Sequence, residues 1–410
     1  MTGINRYISK WLAAGVSAAA LSLCALAAPA AAQDGDVNLS GDVTNVTGVV
    51  DGDLKSDTNA RVRLNASRLL DNGLEIGGEL EARLDGEIPR QYWAGGRYSS
   101  LTAGGARGVG PLSGDAWLQG ANVYARGGLG TVSVGRDNGI ASQLAVTSPT
   151  IFSAIGVNDW KTDLTGMNDV HTINDFSGYA TKMTYMPPAN FLGGVLGGLQ
   201  LGVSYTPRMV DCKDDLCAPY NGYSPLIDPE TRLGANSSWK DVMETAVYYE
   251  RGVGEKRDLR VGVGASYVQA QEDVDNTLSS AFDDYEAYSL GVNLGYRGFT
   301  LGGSVKNTNA AFKQEDEDGY LAFDAGLTYE TGPWGFMVGY GASDAERDAA
   351  SPISPAFYRQ TQSAQAGVSY VFDQGVTLGA AAQFVESDKP AQLGGEENAA
   401  AVVFESGFKF

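Results

Sequence analysis

The sequence predicts an all-β fold, a 16-stranded antiparallel transmembrane β-barrel, and three observations support this fold class. Beyond the first 32 residues, apolar and polar side chains alternate with a period of two, as in residues 74–85 and 320–330, which is typical of strands with two different faces. Short turns alternate along the chain with long polar connections, the arrangement of outer-membrane barrels. The strand-like segments number sixteen, and such barrels contain an even number of strands.

Residues 1–32 form a separate segment that we interpret as a secretory signal peptide. Two basic residues open it, an apolar run of mainly Ala, Leu and Val follows, and Ala30-Ala31-Ala32 supplies an A-x-A cleavage motif. We therefore expect a signal peptide followed by one barrel domain, residues 33–410. In that domain no apolar run reaches the length of about 18 residues that a spanning helix requires.

The composition argues against several classes of function. The chain has 29 Lys and Arg against 49 Asp and Glu, a net charge of −20; the leader holds two of the bases and no acid, so the mature chain carries −22. This excess of acids disfavours nucleic-acid binding. A catalytic triad could use only His171, the single histidine, which we expect to be an exposed polar loop residue. The sequence therefore indicates neither an enzyme nor a cofactor site.

The alternating segments and the turns between them give the expected strand boundaries. Short connections such as Asp71-Asn72-Gly73 separate some strands, whereas others are joined by long polar stretches. The sixteen predicted strands are 37–50, 59–70, 74–85, 116–127, 131–136, 179–187, 198–207, 241–251, 258–269, 285–297, 299–308, 319–330, 334–342, 360–372, 376–386 and 399–410.

The two faces of the strands predict what each side of the sheet contacts. One face carries charged and amide side chains on consecutive strands, too many to be buried in the core of a sandwich or a small barrel. We expect this face to line a lumen, and we interpret its many glycines as leaving room for water. The other face is apolar and is expected to contact lipid, with aromatic residues near the strand ends.

Several segments resemble Gram-negative general porins, most closely the alphaproteobacterial type. They are VNLSGDV, RVRLNASRLLDNGLEIGGELEARLD, GGLGTVSVGRDNG and the terminal GFKF. The resemblance implies an outer-membrane homotrimer, in contact with lipid and lipopolysaccharide, through which small hydrophilic solutes diffuse. It also implies that Phe410, which shares a face with Phe404 and Phe408, is the outer-membrane assembly signal.

The resemblance further implies that the third outer loop folds into the lumen as a constriction. In this chain the loop is residues 137–178, and family members set its acids against arginines on the opposite wall. The expected acidic side is Asp159, Asp163, Asp169 and Asp175. Strand topology and the family pattern together give the expected basic wall, which is Arg61, Arg63, Arg83, Arg136 and Lys182. Opposed charges of this kind create a transverse field that filters ions.

Three further interpretations remain open from the sequence. The chain could instead form a substrate-specific channel for sugars, phosphate or peptides, with Tyr92, Trp93, Tyr98 and Trp117 contributing to an aromatic path. Cys212 and Cys217 are expected to form a disulfide, because C-x4-C without further Cys or His is a poor metal site. Acidic clusters at residues 211–215 and 315–318 resemble fragments of calcium loops but lack the complete spacing, so weak structural Ca²⁺ binding is the most they indicate.

Overall fold

The structure is a computed structural model that describes the chain from residue 35 to residue 410 with gaps. The described ranges are 35–85, 116–158, 161–188, 197–209, 238–254, 258–273, 284–309, 319–347, 357–372, 375–391 and 395–410. The predicted signal peptide, Cys212, Cys217, Asp159 and both acidic clusters lie outside these ranges, as do the loop aromatics Tyr92, Trp93 and Tyr98. The side chains of Arg83 and Trp117 are also outside the description.

Sixteen strands and one short helix make up the described fold. The helix α1 is Ile140–Gln143, and no helix in the described part of the chain is long and apolar enough to cross a membrane. The strands are β1 Asp36–Val50, β2 Asp53–Leu69, β3 Glu75–Asp85, β4 Ala116–Gly127, β5 Gly130–Arg136, β6 Thr181–Met186, β7 Leu199–Met209, β8 Ser238–Val253, β9 Leu259–Asp273, β10 Tyr285–Tyr296, β11 Phe299–Thr308, β12 Gly319–Thr331, β13 Trp334–Arg347, β14 Phe357–Val371, β15 Val376–Asp388 and β16 Glu397–Lys409.

The strands form one closed antiparallel barrel, which confirms the predicted fold class. Each strand pairs with its neighbours in sequence, and β1 pairs with β16 to close the sheet. Phe410 completes the closure, because its backbone N–H and C=O both bond to Gly41 at 3.0 Å. Closure removes the exposed sheet edges that could not be satisfied in a membrane.

The largest difference from the predicted boundaries is at the first hairpin. The sequence predicts a connection over residues 51–58, but β2 begins at Asp53 and the turn consists of Asp51 and Gly52 alone. Both turn residues have positive φ, 50° and 95°, which is the conformation of a tight two-residue hairpin. The polar residues that follow it, which suggested a loop, belong to the strand.

Side chains alternate across the barrel wall as the period of two predicts. On β11 to β13, Leu301, Phe323 and Val338 point outward and are about half exposed, whereas Ser304 and Asp324 point inward and are buried. The apolar outer face is therefore continuous on these strands, and polar atoms face the lumen. This is the arrangement of a barrel that contacts lipid outside and water inside.

Aromatic rings collect at the end of the barrel that carries the short turns. Phe299 stacks on Tyr329 with ring centroids 4.3 Å apart, and Trp334 meets Tyr370 edge-on at 4.8 Å. All four lie on the outward rows of their strands. Aromatic residues at this level match the interfacial belt of membrane barrels.

Candidate functional site: the lumen and its loop

The connection between β5 and β6, residues 137–180, lies inside the barrel, follows the wall from β6 to β16 and reaches Gly48 of β1 and Lys55 of β2. It consists of an outgoing arm, residues 140–155, and a returning arm, residues 162–178. The outgoing arm begins at β7, where Ser204 accepts a hydrogen bond from the N–H of Ile140, and reaches β16. The implied inward folding of this loop is therefore present.

Inward-facing glycines make room for the loop against the wall. A Cβ at Gly291 would lie 1.8 Å from the carbonyl oxygen of Val146, and one at Gly379 would lie 2.4 Å from the ring of Phe152. The other wall glycines in close contact with the loop are Gly48, Gly202, Gly264, Gly326, Gly335, Gly339, Gly341 and Gly367. The interpretation that these glycines leave room for water is wrong, because the loop occupies that space.

Buried carboxylates on the wall hold the outgoing arm by accepting hydrogen bonds from its backbone. The N–H of Ala141 donates to Glu244 at 3.2 Å, and the N–H of Ser148 donates to Asp324 at 2.9 Å. Glu405 on β16 also accepts backbone N–H groups of this arm. Because a carboxylate bonded to N–H groups is strongly favoured over a bare buried charge, each contact fixes the arm to one strand.

Basic side chains hold the returning arm at its carbonyl oxygens. The Nζ of Lys55 donates to the carbonyl of Leu164 at 2.9 Å, and Arg359 donates to that of Met167 at 2.8 Å. Lys306 donates in the same way to Ile173 at 2.9 Å. Wall carboxylates therefore bind backbone N–H groups of the outgoing arm, and wall cations bind backbone carbonyl oxygens of the returning arm.

Lys182 has a different position from the one predicted. It was expected on the basic wall of the pore, but it is 3% exposed and donates to the carbonyl oxygens of Asp137 and Gly178 at the two ends of the loop. Its cation is used to close the base of the loop, because the loop packs over β6 and separates it from the lumen. Burial also raises the pKa of the neighbouring Asp137 carboxyl.

The acids of the loop do not form the exposed row that was predicted. Asp163 is buried and accepts hydrogen bonds from the backbone of Thr165 and Asn168 within the loop. Asp169 is fully buried. The physical reason is that the loop lies flat against the wall, so that many of its side chains are covered.

His171 and Asp175 form a pair within the returning arm. The Nε2 of His171 lies 2.8 Å from the Asp175 carboxylate, and its backbone N–H donates to the hydroxyl of Tyr320 at 2.7 Å. His171 is completely buried. The expectation of an exposed loop histidine is therefore wrong, for the same reason as for the acids.

The lumen face of β1 to β4 carries a row of half-exposed ion pairs, which we call the open wall. Arg61 pairs with Asp42 at 2.8 Å, and Arg63 pairs with Glu79 at 2.9 Å and Glu81 at 2.5 Å. The side chains of Arg61 and Arg63 are 45% and 40% exposed. The register continues this row with Arg83 opposite Arg61 and with Arg126 paired to Glu75 at 3.5 Å.

The end of the loop is linked to the open wall by Tyr179. Its hydroxyl donates to Glu81 at 3.0 Å and accepts from the amide of Asn138 at 3.1 Å. Burial and the Glu81 carboxylate raise the pKa of Tyr179. The two ends of the loop are therefore joined by the Asn138–Tyr179 hydrogen bond, next to the carboxylate that also binds Arg63.

Arg136 does not belong to this row. It ends β5 on the same outward parity as Val132 and Val134, both of which are exposed on the outer face. Its Nε and Nη1 atoms are buried, with no hydrogen-bond partner among the described residues. Of the five bases predicted for the wall, Arg61 and Arg63 lie on the open wall and Arg83 shares their row by register, whereas Arg136 and Lys182 lie elsewhere.

Metal chemistry finds no support in the described ranges. They contain no cluster of three or more His, Cys, Asp and Glu side chains able to hold an ion. What the described part of the lumen contains is the inward loop and the row of paired charges on the open wall.

Solved structures with the same fold include outer-membrane proteins. No curated protein matches the sequence. Similar solved structures include Salmonella typhi OmpF in complex with daunomycin (16% identity, TM-score 0.58, covering 92% of this chain and 98% of that one). The channel DcaP of Acinetobacter baumannii is 12% identical with a TM-score of 0.55, covering 93% and 99%. The trimer form of Vibrio cholerae OmpT is 13% identical with a TM-score of 0.52, covering 92% and 100%.

At these identities the structural likeness shows the fold, and the sequence match shows the family. The sequence model of the Gram-negative porin family matches residues 17–390. The match covers most of the described barrel, including the inward loop and the open wall. The chain therefore belongs to the Gram-negative porins, outer-membrane proteins that form channels for passive diffusion.

Proposed function

We propose that ions and small hydrophilic solutes diffuse between the inward loop and the open wall, with a mild preference for cations and without a specific substrate. The observation that carries this proposal is that the loop covers the lumen face of β6 to β16, while Arg61 and Arg63 on the opposite side stay about half exposed. Solutes passing this level therefore meet paired charges and polar atoms. Such a surface filters by size and charge and recognises no particular molecule.

The mild cation preference follows from the balance of charge. The ion pairs of the open wall contain four acids and three bases: Asp42, Glu75, Glu79 and Glu81 with Arg61, Arg63 and Arg126. The whole chain also carries an excess of acids. Since each arginine is neutralised by a neighbour, we expect the field across the passage to be weak and the selectivity modest.

Planar-bilayer recording tests this function directly. The purified protein should give stable open channels, and a salt gradient should produce a small reversal potential of the sign expected for cations. Added sugars or phosphate should reduce the current only in proportion to their size and concentration. Absence of conductance would refute the pore, and saturable block by one solute would favour a substrate-specific channel.

We further propose that the protein is a homotrimer exported by residues 1–32 and inserted with the help of Phe410. The trimer is supported by a hydrogen-bonded polar cluster on the outward face of β1 and β2, where Asn45 donates to Thr58 at 2.7 Å and Thr47 lies 2.8 Å from Ser56. Contact of such polar groups with lipid hydrocarbon is unfavourable, whereas a second subunit can pack against them. Native mass spectrometry in detergent would measure the number of subunits.

The remaining proposals concern segments outside the described ranges. Contact with lipopolysaccharide, weak Ca²⁺ binding at residues 211–215 and 315–318, and a disulfide between Cys212 and Cys217 are supported by sequence alone. Calorimetric titration with Ca²⁺ and thiol labelling before and after reduction would test the last two.

The proposed barrel domain is residues 33–410, with residues 137–178 as its constriction loop.

A further inference from the structure

The last four residues of the outgoing arm, 152–155, meet the last strand of the barrel. We call these four residues the anchor segment. Three successive backbone N–H groups of this segment, those of Ser153, Ala154 and Ile155, donate to the carboxylate of Glu405 at 2.8, 2.7 and 3.2 Å. Glu405 itself is 2% exposed. Among the described contacts of the outgoing arm, no other wall carboxylate holds three of its N–H groups.

A steric contact lies beside this carboxylate. The ring of Phe152, at the start of the anchor segment, fills the space left by two glycines on β14 and β15. A Cβ at Gly367 or Gly379 would approach that ring to 2.6 or 2.4 Å. Gly379 is the register partner of Glu405, so the ring and the carboxylate hold adjacent points of the segment.

The two contacts restrict the segment in different ways. The Phe152 ring fixes the depth of the segment against the wall, because the absence of side chains at Gly367 and Gly379 leaves room for the ring there. The carboxylate of Glu405 fixes the orientation of the next three peptide groups, because successive N–H groups converge on an anion. If the segment left, three charge-assisted hydrogen bonds would be lost at once and replaced by weaker contacts with water.

The position of the anchor segment decides where the rest of the loop stands. The chain turns back immediately after Ile155, since the N–H of Thr162 bonds to the carbonyl of Ala154 at 2.7 Å. On the far side of this turn, Leu164 packs at Gly48 of β1, and Thr162 donates to Asp57 of β2 at 3.3 Å. The segment therefore controls how far the loop extends toward the open wall.

We propose that Glu405 is a positioning residue that sets the aperture of the pore from the last strand of the barrel. The inference rests on the proposed diffusion through the space beside the loop. Glu405 acts on solutes through the loop backbone. It determines which sizes pass, while the net charge of the passage is set elsewhere.

The variant Glu405→Gln tests the proposal with little change in side-chain volume. An amide offers one acceptor oxygen and brings two N–H groups of its own against three backbone donors. Each charge-assisted hydrogen bond lost corresponds to about a tenfold shift toward the released state of the segment. In liposome-swelling assays we expect the permeation rate of larger sugars to rise relative to that of smaller ones. In bilayers we expect higher open-channel noise.

A matched control removes the same charge from the lumen without touching the loop. Glu330 lies on the inward row of β12 at the short-turn end and is exposed. Glu330→Gln should keep the wild-type size discrimination and noise. If Glu405→Gln also keeps both while conducting normally, the proposal is overturned, whereas absence of conductance in the wild type would instead refute the proposed pore function.

A second variant displaces the same segment while leaving the Glu405 carboxylate in place. Gly379→Ala brings a Cβ to 2.4 Å from the Phe152 ring, so the anchor segment must move through the steric contact alone. We expect the same change in size discrimination as for Glu405→Gln, in a protein whose circular dichroism shows a folded barrel. A folded Gly379→Ala variant that keeps wild-type discrimination would also overturn the proposal.

Discussion

The covered wall, β6 to β16, and the open wall, on β1 to β4, use the same charged residue types for different purposes. On the covered wall Lys306 and Asp324 are buried and bond to the loop. On the open wall Arg61 and Arg63 are half exposed and bond to acids on neighbouring strands. A charged side chain that is buried against the loop therefore holds the loop in place, whereas one that is exposed to the passage can interact with passing ions.

The difference in energy between the two walls follows from solvation. A buried charge that loses its partner keeps the full cost of desolvation. An exposed ion pair in water contributes about 0–1 kcal/mol, because solvent and salt screen it. Changes on the covered wall should therefore affect stability and pore width, and changes on the open wall should affect ion selectivity.

The largest expected effect is at Asp324, which joins both arms of the loop to the wall. Its carboxylate accepts from Ser148 on the outgoing arm, Thr172 on the returning arm and Ser304 on β11, at 2.7 to 2.9 Å. Asp324→Ala should lower the free energy of unfolding by about 3 kcal/mol or more, because several buried donors lose their acceptor. Unfolding followed by heat-modified gel mobility or circular dichroism measures this, with exposed Glu330→Ala on the same strand as control.

The second effect is steric and concerns the groove that the inward-facing glycines of the wall leave for the loop. Gly291→Ala places a Cβ 1.8 Å from the carbonyl oxygen of Val146, so the outgoing arm must move, at a cost of about 1–3 kcal/mol. We expect an altered single-channel conductance. Gly262→Ala on the adjacent strand is the matched control, since its nearest neighbours are 3.9 Å away; equal conductance in both variants would show that the loop does not depend on the groove.

The third effect is on selectivity and has little cost in stability. Arg61→Glu should shift the reversal potential toward stronger cation preference, with a change in unfolding free energy below about 1 kcal/mol. Arg136→Glu, on the outward row of β5, should leave the reversal potential unchanged. A shift for Arg136 and none for Arg61 would reverse the assignment of the two arginines.

The smallest effect is a dependence of stability on pH at the base of the loop. Burial raises the pKa of Asp137 in the folded chain, so the stability linked to its neutral form is present below its unfolded-state pKa, about 3.9. This stability is lost as the pH rises through the raised folded-state value. Asp137→Asn should be slightly more stable than wild type above that range and equal at low pH, as melting temperatures across pH would show.

Sequence reasoning predicted the barrel because each strand is a local pattern. The period of two, the alternation of turn lengths and the closing Phe410 are all visible in neighbouring residues. The predicted start of β2 was wrong because Asp51 and Gly52 turn the chain in two residues. A polar strand that follows such a tight turn is hard to distinguish from a loop.

The candidate site was predicted in part, because its contacts are long-range. Strand parity placed Arg61 and Arg63 correctly in the lumen. Parity cannot show that a loop will cover Lys182, or that buried acids will face backbone N–H groups. One signal was available: glycines recur on the inward rows, and a groove for a packed segment explains them as well as an open lumen does.

The reversal potential under a salt gradient, compared between Arg61→Met and Lys306→Met, tests the central claim most directly. Each variant removes one positive charge from a side chain that faces into the barrel. If the covered wall holds the loop and the open wall sets ion selectivity, Arg61→Met shifts the reversal potential. Lys306→Met then leaves the reversal potential unchanged but alters the conductance. An equal shift for both variants would contradict the account.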